Sequence, residues 1–373
     1  MRILHLISGL GAGGAEHMLS RLVAASPQIE HYIFSVSGPG ILSEDLSTGG
    51  ARLLNRPKGT SLVERTGDFA RVLATNTPDV IQGWMYHGSL AALVAGARYP
   101  KARMYWNIRQ SLAQPQFTRR STRLAISGLA KASRIPKAII YNAEAAAEDH
   151  ERIGFSAKRR VTIPNGFDTS VFRPDPIARQ AIRDELGISP DHLVFGLIAR
   201  LDQWKNHSGF FQAASAVLQR HPEVTFVLAG TGLEKSNPEV SRLLGPNLAD
   251  PRFKLLGDRR DVHRIQASLD FACNVSHGEG FPNAVGEAMS AGVPCLVTDV
   301  GASRFLIGDT GIPIRSTSAE AIAEAMYAAI GLSERQRTEL GEAARLRIID
   351  HFSIDRVVQQ YLTLYRANKG PAA

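Results

Sequence analysis

Two glutamates, Glu279 and Glu287, stand eight positions apart and enclose the tetrapeptide Gly-Phe-Pro-Asn. An apolar, strand-like run over residues 269–276 precedes them. A helix is predicted to open at Pro282, where a proline suits the first turn because its missing N–H would be unpaired anyway. The free amides of a helix start can hold a phosphate. Glu279 would lie on the loop and Glu287 inside the helix, facing the same cleft. Such a site suits a ligand with hydroxyls at both ends and phosphates between them, as in a nucleotide sugar.

This spacing also has a simpler interpretation. Glutamate is common in first helical turns because it complements the helix macrodipole. A Glu-x7-Glu pair taken alone is more typical of a solvated helix face. The Gly-Phe-Pro-Asn insert and the apolar strand before it favour the functional interpretation here.

A glycine-rich loop, Gly9–Glu16, follows the first strand-like run and precedes a helical pattern. Gly11, Gly13 and Gly14 would let the backbone approach a phosphate closely. A nicotinamide site would also need an acid at the end of the second strand, but that strand ends in Val-Ser-Gly-Pro. A tight turn that binds no ligand is the alternative for this loop.

Arg200 ends another strand-like run, and Lys205 follows it on the next loop. Ligands of open α/β sheets bind at the carboxyl ends of the strands. There an arginine fork and a lysine point charge would suit a phosphate. The alternative is an ordinary surface pair, which is the usual outcome away from a strand end.

The 373 residues, 44% hydrophobic and 21% charged, predict a globular protein of two domains. Short apolar runs alternate with helical patterns, which is typical of parallel sheets with crossover helices. The Pro, Gly and Asn content of residues 164–176 indicates a linker, and the helical pattern over 354–366 has an apolar face that needs a partner. The strand candidates are 2–7, 31–36, 79–84, 102–107, 138–141, 193–199, 224–229, 253–256, 269–275 and 294–298.

Charge is unevenly distributed. Residues 1–173 carry 22 Lys/Arg and 12 Asp/Glu, whereas the remainder carries 21 and 23. This asymmetry indicates an anionic partner for the first half. A membrane surface or a phosphate-bearing acceptor fits better than nucleic acid, since no reader motif or aromatic-rich basic stripe is present. The basic segment 117–137 could lie on anionic lipid, although an ordinary solvated helix is the commoner outcome.

The two cysteines, Cys273 and Cys295, lie inside apolar runs, as reduced core residues do. The N terminus does not have the form of a signal peptide, no apolar run could span a bilayer, and no Cys/His spacing predicts zinc. We therefore predict a cytoplasmic protein without cofactor or metal. Peripheral binding to the inner face of the plasma membrane is a further hypothesis.

The most specific motif is the Glu279–Glu287 segment. With Arg200 and Lys205, the early Gly-Gly-Ala-Glu loop and Asn165-Gly-Phe-Asp168, it resembles the retaining GT-B glycosyltransferases of family 4, the glycosyl transferases of group 1. The resemblance covers nearly the whole chain.

That resemblance implies an α/β fold of two facing Rossmann-like domains with parallel sheets and a cleft between them. Residues 1–168 would form the acceptor-side domain, and residues 169–350 would bind the nucleotide sugar. The C-terminal helix, within 351–373, would cross back to the first domain.

The resemblance also implies roles. Arg200 and Lys205 would neutralise the diphosphate of the leaving nucleotide, Glu287 would bind the ribose hydroxyls, and Glu279 would contact the transferred sugar. His87 would lie near the donor sugar and acceptor, although a structural histidine bonded to backbone fits it equally well. Further donor-binding residues would be Gly11, Gly13, Gly14, Gly230, Arg259, Phe281, Asn283 and Ala284. Asn107 and Arg109 would face the acceptor.

Two segments depart from the family pattern. In the loop Asp299–Arg304 many relatives carry a second glycine followed by a glutamate, where this chain has Gly301-Ala-Ser303. Phe167 stands where a small aliphatic residue is usual.

Breaking the anomeric C–O bond would place negative charge on the diphosphate, which fixed cations and helix amides could stabilise. We predict a metal-independent reaction that retains the anomeric configuration. It would move a hexosyl or N-acetylhexosaminyl group from a UDP-sugar, with a GDP-sugar as second choice. The acceptor would be a sugar or lipid-linked glycan in polysaccharide or glycoconjugate biosynthesis. A glycosidase-like carboxylate pair is the nearest rival chemistry. An NAD(P)-dependent oxidoreductase and a non-catalytic nucleotide-sugar-binding protein are the alternatives from other classes.

Overall fold

The computed structural model describes residues 1–11, 13–55, 62–75, 77–112 and 120–367. Within them the chain forms two compact α/β units. The first comprises Met1–Gly166 and the segment that begins at Ile354, and the second comprises Phe167–Ser353. The division falls two residues before the boundary that the sequence predicts at residue 168.

The first unit is built on a seven-stranded parallel sheet with the strand order β3-β2-β1-β4-β5-β6-β7. Its strands are β1 Arg2–Ile7, β2 Glu30–Ser35, β3 Arg52–Leu53, β4 Val80–Trp84, β5 Arg103–Ile108, β6 Ala138–Tyr141 and β7 Arg160–Thr162. Its helices are α1 Gly14–Ala24, α2 Ser43–Thr48, α3 Leu62–Thr75, α4 Met85–Arg98, α5 Arg120–Ala132, α6 Glu144–Arg152 and α15 Ile354–Arg366.

The last helix, α15, completes the core of this first unit. Val357, Val358, Tyr361 and Tyr365 are buried in the same cluster as residues of β1, β4 and α1. The apolar face recognised in the sequence therefore has its partner. Burial of so much aliphatic and aromatic surface is what attaches a segment from the end of the chain to a sheet from its beginning.

The second unit has a six-stranded sheet with the order β10-β9-β8-β11-β12-β13 and only parallel pairs. Its strands are β8 Leu193–Ile198, β9 Val224–Ala229, β10 Phe253–Leu255, β11 Phe271–Asn274, β12 Cys295–Thr298 and β13 Ile312–Ile314. Its helices are α7 Pro176–Glu185, α8 His207–Arg220, α9 Pro238–Leu244, α10 Val262–Ser268, α11 Asn283–Ser290, α12 Ser303–Ile307, α13 Ala319–Ile330 and α14 Glu334–Phe352.

Aromatic residues dominate the core of the second unit. Phe195, Phe226 and Phe253 come from three neighbouring strands, and Phe210 and Phe211 of α8 pack edge-on against them. Such pairs add to the burial energy of the sheet. Across the described residues, no helix joins enough length to enough apolar character to cross a membrane.

Candidate functional site

The strand order of the second unit brings two loops together. Strands β8 and β11 are neighbours, although β9 and β10 lie between them in the chain. The loops that leave β8 and β11 therefore diverge at a topological switch point, where open α/β sheets bind ligands. Arg200 and Lys205 follow β8, and Glu279 follows β11.

Two hydrogen bonds fasten these loops to each other. The Asn206 side chain donates to the Val275 carbonyl at 3.1 Å, and the His277 amide donates to the Trp204 carbonyl at 2.8 Å. Asn206 has φ of 54°, a left-handed conformation that asparagine tolerates better than most residues. The position of Lys205, the residue before it, is thereby fixed relative to the β11 loop.

Glu279 is the centre of this arrangement. Its Oε1 accepts from Lys205 Nζ at 2.6 Å, from Ser276 Oγ at 2.7 Å and from Asn274 Nδ2 at 3.0 Å. The side chain is 9% exposed, and that of Lys205 is 25% exposed. Burial opposes ionisation of Glu279, but the Lys205 charge and the three hydrogen bonds outweigh it and lower the pKa of the carboxyl group. Glu279 is therefore an ionised carboxylate with one saturated oxygen.

The loop after β12 supports the backbone of Glu279. Gly301 has φ of 56°, and a side-chain Cβ at this position would run into the Glu279 carbonyl. The Ala302 amide donates to the Gly280 carbonyl at 3.2 Å. The segment in which this chain departs from the family pattern thus braces the Glu279 loop, and Gly301 is required there on steric grounds.

Helix α11 begins one residue later than the sequence predicts, because Pro282 is extended and stands at the N-cap. Asn283 and Ala284 form the first turn, whose amides have no partner inside the helix. Glu287 is half-buried one turn further along. Phe281 is buried, and its ring centroid lies 6.3 Å from that of Phe167 in a stacked arrangement, so its side chain anchors the loop.

The other cations predicted at this end have different surroundings. The Arg200 side chain is 60% exposed and pairs with Asp202 at 3.1 Å, so it can turn toward an anion. Arg259 is held by Asp261 and Glu185, each at 2.7 Å, and these carboxylates raise the pKa of its guanidinium. The charge of Arg259 is thus already balanced. Gly230 lies at the end of β9, where its amide donates to the Gly257 carbonyl at 2.7 Å.

In the first unit, β1 and β4 are also neighbours across a switch point. The glycine loop follows β1, and Gly13 is the N-cap of α1. The carboxylate of Glu16 folds back against Gly13, where a Cβ would meet it. Gly11 has open space around it and Gly14 begins the helix. A protein carboxylate therefore already lies at the helix start that the sequence predicts for phosphate.

His87 lies in the first turn of α4, directly after β4, and is partly buried. The strand turns into the helix without a loop because Met85 adopts φ of 58°. That conformation costs a residue other than glycine on the order of 1 kcal/mol or more. It places His87 at the carboxyl edge of the sheet, in the same relation to its strand as Lys205 and Glu279 have to theirs.

Asn107 and Arg109, predicted to face an acceptor, are buried instead. Arg109 donates to Asn165 Oδ1, Asn107 Oδ1 and the Tyr361 hydroxyl at 2.8 Å each, and Asn107 donates to the same hydroxyl. Burial lowers the pKa of the Arg109 guanidinium, which the described structure pairs with no carboxylate. Through these hydrogen bonds, the two residues connect the end of β5 to α15 and to the turn at Asn165. They are buried because α15 covers this face of the sheet.

Sequence reasoning missed Asn274 and Ser276. Both are polar residues at the end of a buried strand, which is itself a signal for a ligand-facing edge. Their role emerges only when the loop conformation shows which carboxylate they contact. Among the described residues, no three His, Cys, Asp or Glu side chains cluster as a metal site would require.

Family comparison gives two matches that together span most of the chain. The description "Glycosyltransferase Family 4" covers residues 12–171, and "Glycosyl transferases group 1" covers residues 192–331. The first segment covers most of the first unit and ends five residues inside the second, and the second segment lies within the second unit.

Individual relatives share about a quarter of their aligned residues with this chain. EpsF of Bacillus subtilis (strain 168) is 27% identical over 321 residues, 80% of this chain and 79% of that protein. The UDP-Gal:alpha-D-GlcNAc-diphosphoundecaprenol alpha-1,3-galactosyltransferase of Escherichia coli is 27% identical over 208 residues, 54% of this chain and 53% of the enzyme. The chain thus aligns with only about half of the galactosyltransferase.

Among solved structures, Anabaena HepE in complex with UDP superimposes with a TM-score of 0.84 at 22% identity, over 98% of this chain and 100% of HepE. At this identity the likeness concerns the fold, which is GT-B, as the sequence predicts.

Proposed function

We propose that this chain, which belongs to the family 4 glycosyltransferases of group 1, transfers a hexosyl or N-acetylhexosaminyl group from a UDP-sugar to a sugar or lipid-linked glycan. The observation that carries the proposal is the Lys205–Glu279 pair. The pair joins the loops that follow the two strands flanking the switch point of the second unit, and Glu279 lies on the loop that leads to the start of α11. Family membership argues against the oxidoreductase alternative.

The donor would bind by its diphosphate between Lys205, Arg200 and the first amides of α11. Lys205 is fixed and partly buried, whereas Arg200 is exposed and can move toward the phosphates. Glu287, one helical turn inside α11, is our candidate for the ribose hydroxyls. UDP is favoured because HepE has been crystallised with UDP and with UDP-glucose, and the E. coli relative is named for UDP-Gal.

Glu279 would contact the transferred sugar through Oε2, since Oε1 already accepts three hydrogen bonds. An ionised carboxylate close to the anomeric carbon would stabilise the positive charge that develops as the C–O bond breaks. The leaving diphosphate would be stabilised by Lys205 and Arg200, the charges that a metal ion would otherwise supply. We accordingly propose retention of configuration and a metal-independent reaction.

Donor binding can be tested before the acceptor is known. Thermal-shift measurements with UDP-, GDP- and ADP-sugars should give the largest stabilisation with a UDP-sugar, because a ligand stabilises the folded state by mass action. Stabilisation by a GDP- or ADP-sugar alone would contradict the UDP assignment.

Transfer is then measured with the selected donor and a panel of sugar and lipid-linked acceptors. Lys205→Ala and Glu279→Ala should each reduce turnover by about 100-fold or more. The matched controls Lys101→Ala and Glu148→Ala, exposed in the first unit, should retain it. The anomeric configuration of the product tests retention, and full activity in chelator tests metal independence. Donor binding without turnover on every acceptor would favour the non-catalytic binding protein.

A further inference from the structure

One basic surface of the first unit has no part in the proposed reaction. A hollow of about 880 Å³ lies between the end of α5 and the short turn before β7. Lys131 and Arg134 line it from one side, and Lys158 and Arg159 from the other. Its ten lining residues include no aspartate or glutamate. The hollow therefore has the charge and the space to receive an anionic group such as a phosphate.

The two sides of this hollow are held together by the fold. Ser133, at the end of α5, donates to the Ala130 carbonyl at 2.6 Å and accepts from the Ser156 amide at 2.9 Å. Phe155, between the two segments, is buried. Because this link fixes the backbone below the four basic side chains, their convergence is a property of the fold.

These cations are not neutralised by the structure. In the described part of the chain, Lys131, Arg134, Lys158 and Arg159 form no ion pair. Three of the four acids of neighbouring α6 pair with other arginines, Glu144 and Glu151 with Arg160 and Asp149 with Arg152, and the fourth, Glu148, is exposed. The surface thus presents four basic side chains, and three of the four acids on the neighbouring helix are paired with other arginines.

An exposed stripe of α5 leads to the same hollow. Arg120, Leu124, Ser127 and Lys131 follow one another at helical spacing, so they share one face over about 16 Å. Leu124 is 77% exposed, and Ile135, beside Arg134, is 61% exposed. Large aliphatic side chains set among lysines and arginines are the pattern of a helix that lies in a membrane interface.

We propose that this basic surface, defined by the α5 stripe, Arg134, Ile135, Lys158 and Arg159, docks onto an anionic lipid bilayer. Headgroup phosphates would enter the hollow, and Leu124 and Ile135 would enter the acyl boundary. The two exposed aliphatic residues favour a bilayer over single-stranded nucleic acid, which is typically bound through aromatic side chains. Of the segment 117–137 on which the sequence hypothesis was based, residues up to Arg119 lie outside the described residues. The proposal rests on the surface that follows.

Flotation with vesicles of phosphatidylcholine, with and without phosphatidylglycerol, tests this directly and needs no sugar donor. The wild type should float only with phosphatidylglycerol and should be released by high salt. Lys131→Glu/Arg134→Glu should weaken vesicle binding by about thirtyfold or more. Leu124→Ser should weaken it by about tenfold.

The matched control is Arg242→Glu/Arg335→Glu, which changes the net charge equally at exposed positions of the second unit. It should bind vesicles like the wild type. Because all four positions are exposed, both double variants should keep the wild-type thermal midpoint, and Lys131→Ala/Arg134→Ala provides a milder version. Three outcomes would each overturn the proposal. The first is an equal loss of vesicle binding in both double variants, and the second is no flotation of the wild type. The third is binding of single-stranded DNA that depends on Lys131 and Arg134, without any binding to vesicles. Stabilisation of the protein by inorganic phosphate at constant ionic strength, together with no flotation of the wild type, would identify a soluble phosphate site and would also overturn the proposal.

Discussion

The two units have equivalent topological switch points, but the residues at these points differ in kind. In the second unit, the loops from β8 and β11 are joined by the Lys205–Glu279 contact of 2.6 Å between opposite charges. In the first unit, the loop after β1 has glycines and a folded-back Glu16, and the strand end at β4 has His87. The same topology thus provides a charged, fixed site in one unit and a largely backbone-lined site in the other.

This difference has a physical reason. Under the proposed function, a leaving diphosphate would need positive charge in place when the C–O bond breaks, and Lys205 on its braced loop would supply it. Under the same proposal, a sugar acceptor would need hydrogen bonds and steric freedom, which the glycine loop and His87 would supply. The predictions below test whether the two switch points really differ in this way.

The largest effect is expected from Lys205→Ala. Removal of this cation should reduce turnover by about 10²–10³-fold and raise the pKa of Glu279, because burial then acts without its main compensation. The acidic limb of the pH–activity profile should therefore shift to higher pH. Since the two side chains are in contact, the double variant Lys205→Ala/Glu279→Ala should lose no more turnover than the more damaging of the two single variants. Additive losses would show that the pair does not act as a unit.

Gly301→Ala and Gly11→Ala compare the two units directly. The first adds a Cβ at φ of 56° against the Glu279 carbonyl, whereas the second adds one in open space. Gly301→Ala should displace the Glu279 loop and lower turnover by about 100-fold. Gly11→Ala should keep the wild-type thermal midpoint. If Gly11→Ala nevertheless weakens donor binding in a titration, a ligand must approach Gly11 closely.

Acid should destabilise the first unit more than the second. Burial lowers the pKa of His31 and His150 to about 4, and that of His5 well below its usual value, whereas His207 is the one described histidine of the second unit with such a shift. These histidines are neutral when folded and protonate on unfolding, so stability is complete above pH of about 6.5 and falls as the pH drops toward 4.

Each such histidine should cost about 2 kcal/mol of unfolding free energy at pH 5 relative to pH 8. His31→Gln should reduce that pH dependence by this amount in chemical denaturation followed at both pH values. The Lys205–Glu279 pair, by contrast, loses its contribution only as the pH falls through the lowered pKa of Glu279. A pH dependence unchanged by His31→Gln would refute the assignment.

The smallest effect is expected at His87. His87→Ala should lower turnover by about tenfold and leave donor affinity unchanged if the side chain contacts sugar or acceptor. If His87 is structural, the same variant should lower the thermal midpoint and leave turnover of the folded protein intact. Parallel measurement of kcat, KM and thermal midpoint separates these outcomes.

The sequence was informative wherever a local pattern determines local structure. Short apolar runs predict every central strand, but they do not predict β3, β7 and β13. Each has two or three residues, and most of them are only partly buried, so strand pairing defines them and composition does not.

The candidate site was recognised from strand ends and a helix start, which are local features. The Lys205–Glu279 contact was not, because it depends on β8 lying beside β11, and no local pattern reports strand order. For a related reason, the sequence does not indicate that Asn107 and Arg109 are buried. The helix that buries them through Tyr361 lies about 250 residues further along the chain.

Helix α15 also has a consequence for the synthesis of the protein. The first sheet is complete once Gly166 has been made, but one of its faces is covered by residues that begin at Ile354. At roughly 5–20 residues per second, the ribosome needs on the order of ten to forty seconds for the intervening stretch. During that interval the second unit can fold while the first waits with Arg109 and an apolar face uncovered. The first unit therefore begins to be synthesised first but completes its folding last. Premature termination of synthesis just before α15 would leave the first unit accessible to chaperones and proteases.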